Sequence, residues 1–326
     1  MGCCFSSTPT TPATAADLFS PTSPWNVPAA GSVDPNSATM VSNASATGSL
    51  AQGIAATGGG AITISGIDDG GQGEYYSVPF YEADASTPRV PVGDSTGWWG
   101  GFSSVPIPVG ATASLGSDHH LAIWDKPNNL LYEFWNAVKS GSNWSASWGS
   151  TFASNGQGYQ TGVNQNGARA YGGSLVGGLI RRQEMVNGFI PHALAMAYQY
   201  TRGLFYARGL GADGVTVNIA SHNDNASASN RNSTGNIPEG ARLRLKASVD
   251  VDAKCGSNQA CKVIGRALQT YGVFIVDTSG ATGIYAEVTS VHGQSWSGLL
   301  AINSAAAFTA ADFELMSLPS SLTAAA

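Results

Sequence analysis

The stretch SDHHLAIWDKPNNLLYEFW (117–135) decides how this chain is read. Two apolar runs flank KPNN, a turn-forming cluster, and that pattern predicts an antiparallel hairpin. With KPNN as the turn, Asp125 faces Leu130, Trp124 faces Leu131, Ala122 faces Glu133 and His120 faces Trp135. Successive strand residues point to opposite faces of a sheet. One face therefore carries Asp118, His120, Trp124, Glu133 and Trp135. The other carries Leu121, Ile123, Tyr132 and Phe134, a core side. The reading places acid, imidazole and indole together on the open side of a two-stranded ribbon. A slip of one residue would destroy the segregation.

The composition around the hairpin agrees with a β protein. Of 326 residues only 11% are charged, against about a quarter in an average soluble domain. Gly (41 residues) and small polar side chains replace them, a mixture that suits short strands and turns. The expected fold is mainly β: an antiparallel β-sandwich, jelly-roll-like, with one or two short helices. Residues 1–17 form a Thr/Pro-rich tail expected to stay disordered, and residues 18–326 a single β-sandwich domain. Two helices stand out. LIRRQEMVNG (179–188) ends at Gly188, and NQACKVIGRALQTYG (258–272) has apolar residues at helical spacing and stops at Gly272.

Charge and cysteine usage narrow the partners. A net charge of −6 and the lack of a basic run argue against nucleic acid. No apolar stretch reaches the roughly 18 residues of a membrane span. Cys255 and Cys261 bracket a short polar loop that a disulfide could close, which fits an oxidising compartment. The start MGCCFSST fits the N-myristoylation pattern, with Ser6 in place and cysteines beside it, although a match this short arises easily by chance. The expected location is secreted or cell-surface, with a lipid anchor at the N-terminus as one option.

A second alternation lies in ARLRLKASVDVD (241–252), where Arg242, Arg244 and Lys246 share a face. Cations in a row call for carboxylates on neighbouring strands, with Glu133, Glu184 and Asp118 as the candidates, or for a substrate carboxylate. In PHALAMAYQY (191–200), His192 shares a face with Leu194, Met196 and Tyr198, and a histidine so placed is more often structural than catalytic. No P-loop, G-x-S-x-G elbow or H-E-x-x-H motif occurs. The histidines are too scattered to define a metal site, so no cofactor is expected. The loops GADG (211–214) and DDGGQG (68–73) could hold a structural calcium ion, though neither follows the EF-hand spacing.

The blocks SPWN (23–26), SDHH (117–120), LYEFWNA (131–137), GGLIRRQEMVNGFIPHAL (177–194), PEGARLRLK (238–246), RALQTYGVFIVD (266–277) and DFELM (312–316) resemble a family of secreted bacterial proteins. The family usually has Arg where this chain has His119. The resemblance implies an extracellular protein and no particular reaction. It singles out Asp118, His120, Glu133, Glu184, His192, Arg242 and Arg244, which lie inside its signature blocks.

Carboxylates, imidazoles and flat rings on one sheet face suit a polysaccharide or oligosaccharide. The first expectation is a secreted glycoside hydrolase. Asp118 and Glu133 stand roughly 13 Å apart along the strands, beyond the roughly 5–10 Å that hydrolysis requires. Glu133 would then act with Glu184 or another carboxylate. The second is a polysaccharide lyase, with Arg242, Arg244 and Lys246 neutralising a uronate and His120 or Tyr198 removing the proton. The third is a non-catalytic carbohydrate-binding or surface-assembly protein, in which Trp124 and Trp135 matter and the carboxylates do not.

Overall fold

A computed structural model describes residues 18–48, 61–68, 74–163, 165–199, 201–224 and 236–325. The expected tail and the lipidation motif lie outside these residues. Strands Leu121–Asp125 and Leu130–Trp135 pair antiparallel, with Ala122 opposite Glu133 and Trp124 opposite Leu131, the register read from the sequence. Lys126–Asn128 forms a 3-10 turn, and Asn129 closes it in the left-handed region at φ 50°, a conformation Asn tolerates better than most residues. The ladder ends at Leu121–Phe134, one pair short of His120 and Trp135.

This hairpin lies inside a four-stranded sheet. Phe80–Ala83 runs parallel on one side and Trp148–Ala153 antiparallel on the other. One face, with Leu121, Ile123, Tyr132 and Phe134, packs on a second four-stranded sheet through Val92, Val105, Trp144 and Ala146. Two sheets buried face to face make the sandwich. The opposite face, with Ala122, Trp124, Leu131 and Phe152, meets Ala195, Ala197, Phe274 and Val276 of a six-stranded sheet. The hairpin sheet is therefore covered on both sides, and its expected open face is a second interior.

The six-stranded sheet has the order Thr63–Ser65, Gly283–Tyr285, Leu194–Tyr198, Val273–Thr278, Arg242–Leu245, Phe313–Leu315. Its far face carries Leu194, Met196, Leu243, Val273 and Ile275 against Val263, Ile264 and Leu268 of the helix Gln259–Thr270. The fold is mainly β with short helices, and its sheets are mixed, since Leu194–Tyr198 and Val273–Thr278 run parallel. Arg182–Asn187 is helical and ends at Gly188 in the left-handed region. Cys255 and Cys261 form the disulfide, tying the helix Val251–Cys255 to its successor. Among the described residues no helix is long and apolar enough to cross a membrane.

The pairing of Leu194–Tyr198 with Val273–Thr278 is interrupted once. Met196 stands opposite Ile275, but Ala197 stands opposite Asp277, so Val276 is an extra residue. Such a bulge breaks strict alternation and re-aims the next side chain. Unbroken alternation from Val273 and Ile275 would send Asp277 toward the helices. The bulge brings it level with Ala197, on the side facing the hairpin sheet. The Val276 carbonyl accepts a hydrogen bond from the Tyr171 N–H at 3.1 Å, which fixes the displaced backbone.

Candidate functional site

A cleft of about 860 Å³ opens where the hairpin sheet and the large sheet diverge. Asp118, His120 and Trp135 line it, as do Arg169, His222, Asp224, Asp277 and Tyr285. Its rings are Trp98, Trp135, Trp148, Tyr76 and Tyr285. Trp135 and Trp148 are direct cross-strand partners. Trp98 is 72% exposed on a turn that Asp94 organises. The Asp94 carboxylate accepts the N–H groups of Thr96, Gly97, Trp99 and Gly100, each at 2.8 Å. Against a desolvation penalty, these donors hold its carboxyl well below the usual carboxylate range.

Asp277 is the central carboxyl. It keeps 18% of its side chain accessible, while the surrounding structure strips most of its water. Burial pushes its carboxyl up to about 7; Arg169 opposes the shift, and the charges of Asp224 and Asp118 reinforce it. The Arg169 Nη1 lies 3.4 Å from Asp277 Oδ2, and the guanidinium stacks 4.0 Å from the centre of the Tyr285 ring. The Tyr285 hydroxyl donates to the same carboxylate oxygen at 3.4 Å. The Arg169 side chain is fully sealed. It acts on the cleft from beneath the floor, where its Nε and Nη2 have no hydrogen-bond partner among the described residues.

His120 is 3% exposed. Burial, then the charges of Arg169 and His119, hold its pKa well below the ordinary value, so the ring is neutral. Its Nδ1 has no hydrogen-bond partner among the described residues. Behind Asp277 lies Glu239, kept protonated by burial and by the charges of Asp224 and Asp277. The Thr278 hydroxyl reaches both Glu239 Oε1 at 3.4 Å and Asp224 Oδ1 at 3.3 Å.

Of the residues expected from sequence, Asp118, His120 and Trp135 meet in this cleft. Glu133 does not. It is 0% exposed, because the loop 174–176 covers the face of the hairpin that was expected to be open. Its carboxyl accepts the Ser174 hydroxyl at 2.5 Å and the Leu175 N–H at 2.8 Å. Burial pushes its carboxyl up to about 7, these donors and Arg169 opposing the shift. Trp124 is also interior, packed near Phe80, with Lys126 over its ring at 5.1 Å.

Glu184 and His192 form a buried pair away from the cleft, with Nε2 3.0 Å from Glu184 Oε1. The other Glu184 oxygen accepts the Arg181 N–H at 2.8 Å, capping the helix Arg182–Asn187. His192 Nδ1 faces the Ala193 carbonyl at 2.8 Å. With an acceptor at each nitrogen, the ring is best served by two protons. Burial opposes the charged imidazole, but Glu184 outweighs it and the pKa is raised. Tyr198 is buried, donating to the Ile237 carbonyl and accepting the Ile237 N–H.

The basic strand is structural as well. Arg242 donates to the Tyr271 carbonyl at the end of the long helix and to the Val27 carbonyl at 2.8 Å. Arg244 pairs with Glu314 on the adjacent strand at 2.6 Å and donates to the Ala29 carbonyl. Lys246 donates to the Ala311 carbonyl. The carboxylate partner is Glu314, not Glu133, Glu184 or Asp118. Together with Trp25, whose ring lies 4.9 Å from Phe274, these arginines clamp the segment that begins SPWN onto the large sheet.

Of the two loops considered for calcium, DDGGQG lies almost wholly outside the described residues. In GADG, the Asp213 carboxylate is taken up by N–H groups of Ser32, Val215 and Thr216. Among the described residues no group of three His, Cys, Asp or Glu side chains is arranged to hold a metal ion.

Sequence reasoning missed Asp277, Arg169, Asp224, Tyr285, Trp98 and Trp148. A carboxylate ending the apolar run VFIVD was the one local signal. No family model, curated protein or solved structure matches this chain.

Proposed function

We propose that the protein is a secreted glycoside hydrolase that binds an extracellular oligosaccharide or polysaccharide in this cleft. The supporting observation is a carboxyl group, Asp277, opening into a cleft whose walls carry three indoles. Rings of this kind stack on the apolar faces of sugars. A carboxyl that holds its proton to about 7 has the acidity a general acid needs near neutral pH. Asp277 protonates the leaving glycosidic oxygen, and Asp118, which lines the same cleft, supplies the second carboxylate that such hydrolysis requires. Tyr285 and Arg169 hold the Asp277 carboxyl in place. The disulfide fits an extracellular setting.

The lyase reading has less support, because Arg242, Arg244 and Lys246 are occupied elsewhere and the Arg169 guanidinium is sealed from a substrate uronate. Incubation of the purified protein with a panel of neutral, aminated and uronate glycans tests the proposal. New reducing ends without the ultraviolet absorbance of an unsaturated uronate are expected. Products carrying that absorbance would establish the lyase instead, and binding without products a carbohydrate-binding protein.

A further inference from the structure

Which sugars fit depends on what the cleft offers a ligand. Its lining carries the carboxyl groups of Asp118, Asp224 and Asp277. Arg169 is the only Lys or Arg among the described lining residues, and its side chain is fully sealed. Among the described residues, the surface a sugar would touch is therefore acidic and aromatic, with no exposed cation to meet an anionic substituent. A uronate set against these residues would lose hydration beside carboxylates and gain no cationic partner among them.

A second feature, independent of the acids, asks for a hydrogen-bond partner. His120 is buried and neutral, and its Nδ1 is without a partner among the described residues. A neutral imidazole has one nitrogen that donates and one that accepts, and a sugar hydroxyl serves either. The walls add a preference for positive charge, since cations are attracted to the faces of indole rings. Trp98, Trp135 and Trp148 provide these faces beside the acids.

We infer that the cleft selects a saccharide bearing free, protonated amino groups, an amino-sugar oligomer, with the ammonium held by Asp224 among the tryptophans and His120 bonding a hydroxyl of the same ligand. This inference rests on the hydrolase reading for its choice of a sugar. Asp224 is the exposed member of the acidic set and meets the charge first. The same charge pattern excludes polyuronates by repulsion.

The test is calorimetric binding at pH 5.5 to three probes: the β-1,4-linked hexamer of glucosamine, its fully N-acetylated counterpart, and hexagalacturonate. Asp277→Asn protein is used so that no probe is consumed. The glucosamine hexamer is expected to bind at least about tenfold tighter than the acetylated one, with affinity falling as salt rises from 20 to 300 mM. Asp224→Asn, introduced in addition and checked for folding by circular dichroism, should erase most of that advantage and leave the acetylated hexamer unaffected. Equal affinities, tightest binding of hexagalacturonate, or an equal loss for both amino-sugar probes in the Asp224→Asn protein would overturn the inference. Cleavage of some other neutral glycan with no preference for amines would overturn it and leave the hydrolase reading standing. A protein that neither binds nor cleaves any glycan would end both.

Discussion

Asp277 stands opposite Ala197 because Val276 is left over between the pairs Met196–Ile275 and Ala197–Asp277. That single extra residue turns the carboxyl from the helical side of the sheet toward the cleft, where it meets Arg169 and Tyr285. Its consequences are measurable.

If Asp277 is the general acid, turnover requires it protonated. The rate should fall about tenfold per pH unit above the Asp277 value of about 7, and at low pH it should fall again, because the second carboxylate must be ionised. Asp277→Asn should lower kcat by roughly 10²–10⁴-fold while oligosaccharide affinity is retained. A pH–rate profile and binding calorimetry check both statements. A variant that retains wild-type kcat removes Asp277 from the chemistry.

Glu133→Gln should leave activity within about threefold of wild type, since removing a group outside the reaction leaves the transition state nearly unchanged. Its effect belongs to stability. The folded carboxyl holds its proton to about 7, whereas an unfolded one releases it near 4.3. Between those values the folded state binds more protons than the unfolded state, so stability falls as pH rises, then levels off above 7. Gln can accept from Leu175 and donate to the Ser174 hydroxyl. Its urea midpoint should therefore decline less between pH 4.5 and 7.5 than that of the wild type.

The buried pair of His192 and Glu184 works over a higher range. The His192 pKa is raised in the fold, so its contribution is fully present below the unfolded value of about 6.5. It is lost as pH rises through the folded value above that. Glu184→Ala removes both the partner of His192 and the cap of Arg182–Asn187. It should destabilise by about 3–5 kcal/mol, the usual effect of breaking a buried pair, as read by urea denaturation.

Asp94→Ala takes the acceptor from four backbone N–H groups of the turn that presents Trp98. The expected result is a several-fold rise in KM with kcat little changed, because the platform binds sugar away from the reacting bond. Trp98→Ala should raise KM similarly, by about tenfold, the equivalent of one good aromatic contact. The double variant should be no worse than Trp98→Ala alone if Asp94 acts through that indole.

The hairpin shows how far the chain could be read without its coordinates. Its register follows from alternation and from turn residues, both local, and Ala122 does pair with Glu133. The segregation of Leu121, Ile123, Tyr132 and Phe134 from Ala122, Trp124 and Glu133 was legible for the same reason. The helix stop at Gly188 and the bridge between Cys255 and Cys261 were likewise short-range patterns. The basic strand was legible as a problem, three cations on one face, but its solution in Glu314, Val27 and Ala29 was not. Those partners lie about 70 or 215 residues away.

By itself the sequence determined the strands, the pairing of the central hairpin and the chemical character of each of its faces, because periodicity and turn chemistry act over a few residues. Only the tertiary structure decided which face would meet solvent. The large sheet and the loop 174–176 cover the polar side of the hairpin, so Glu133 is interior, and the cleft opens instead beyond the last ladder pair. There the Val276 bulge and segments from across the chain bring Asp118, His120, Asp277 and three tryptophans to one surface. Alternation along one strand carries no information about which distant layer will close over it.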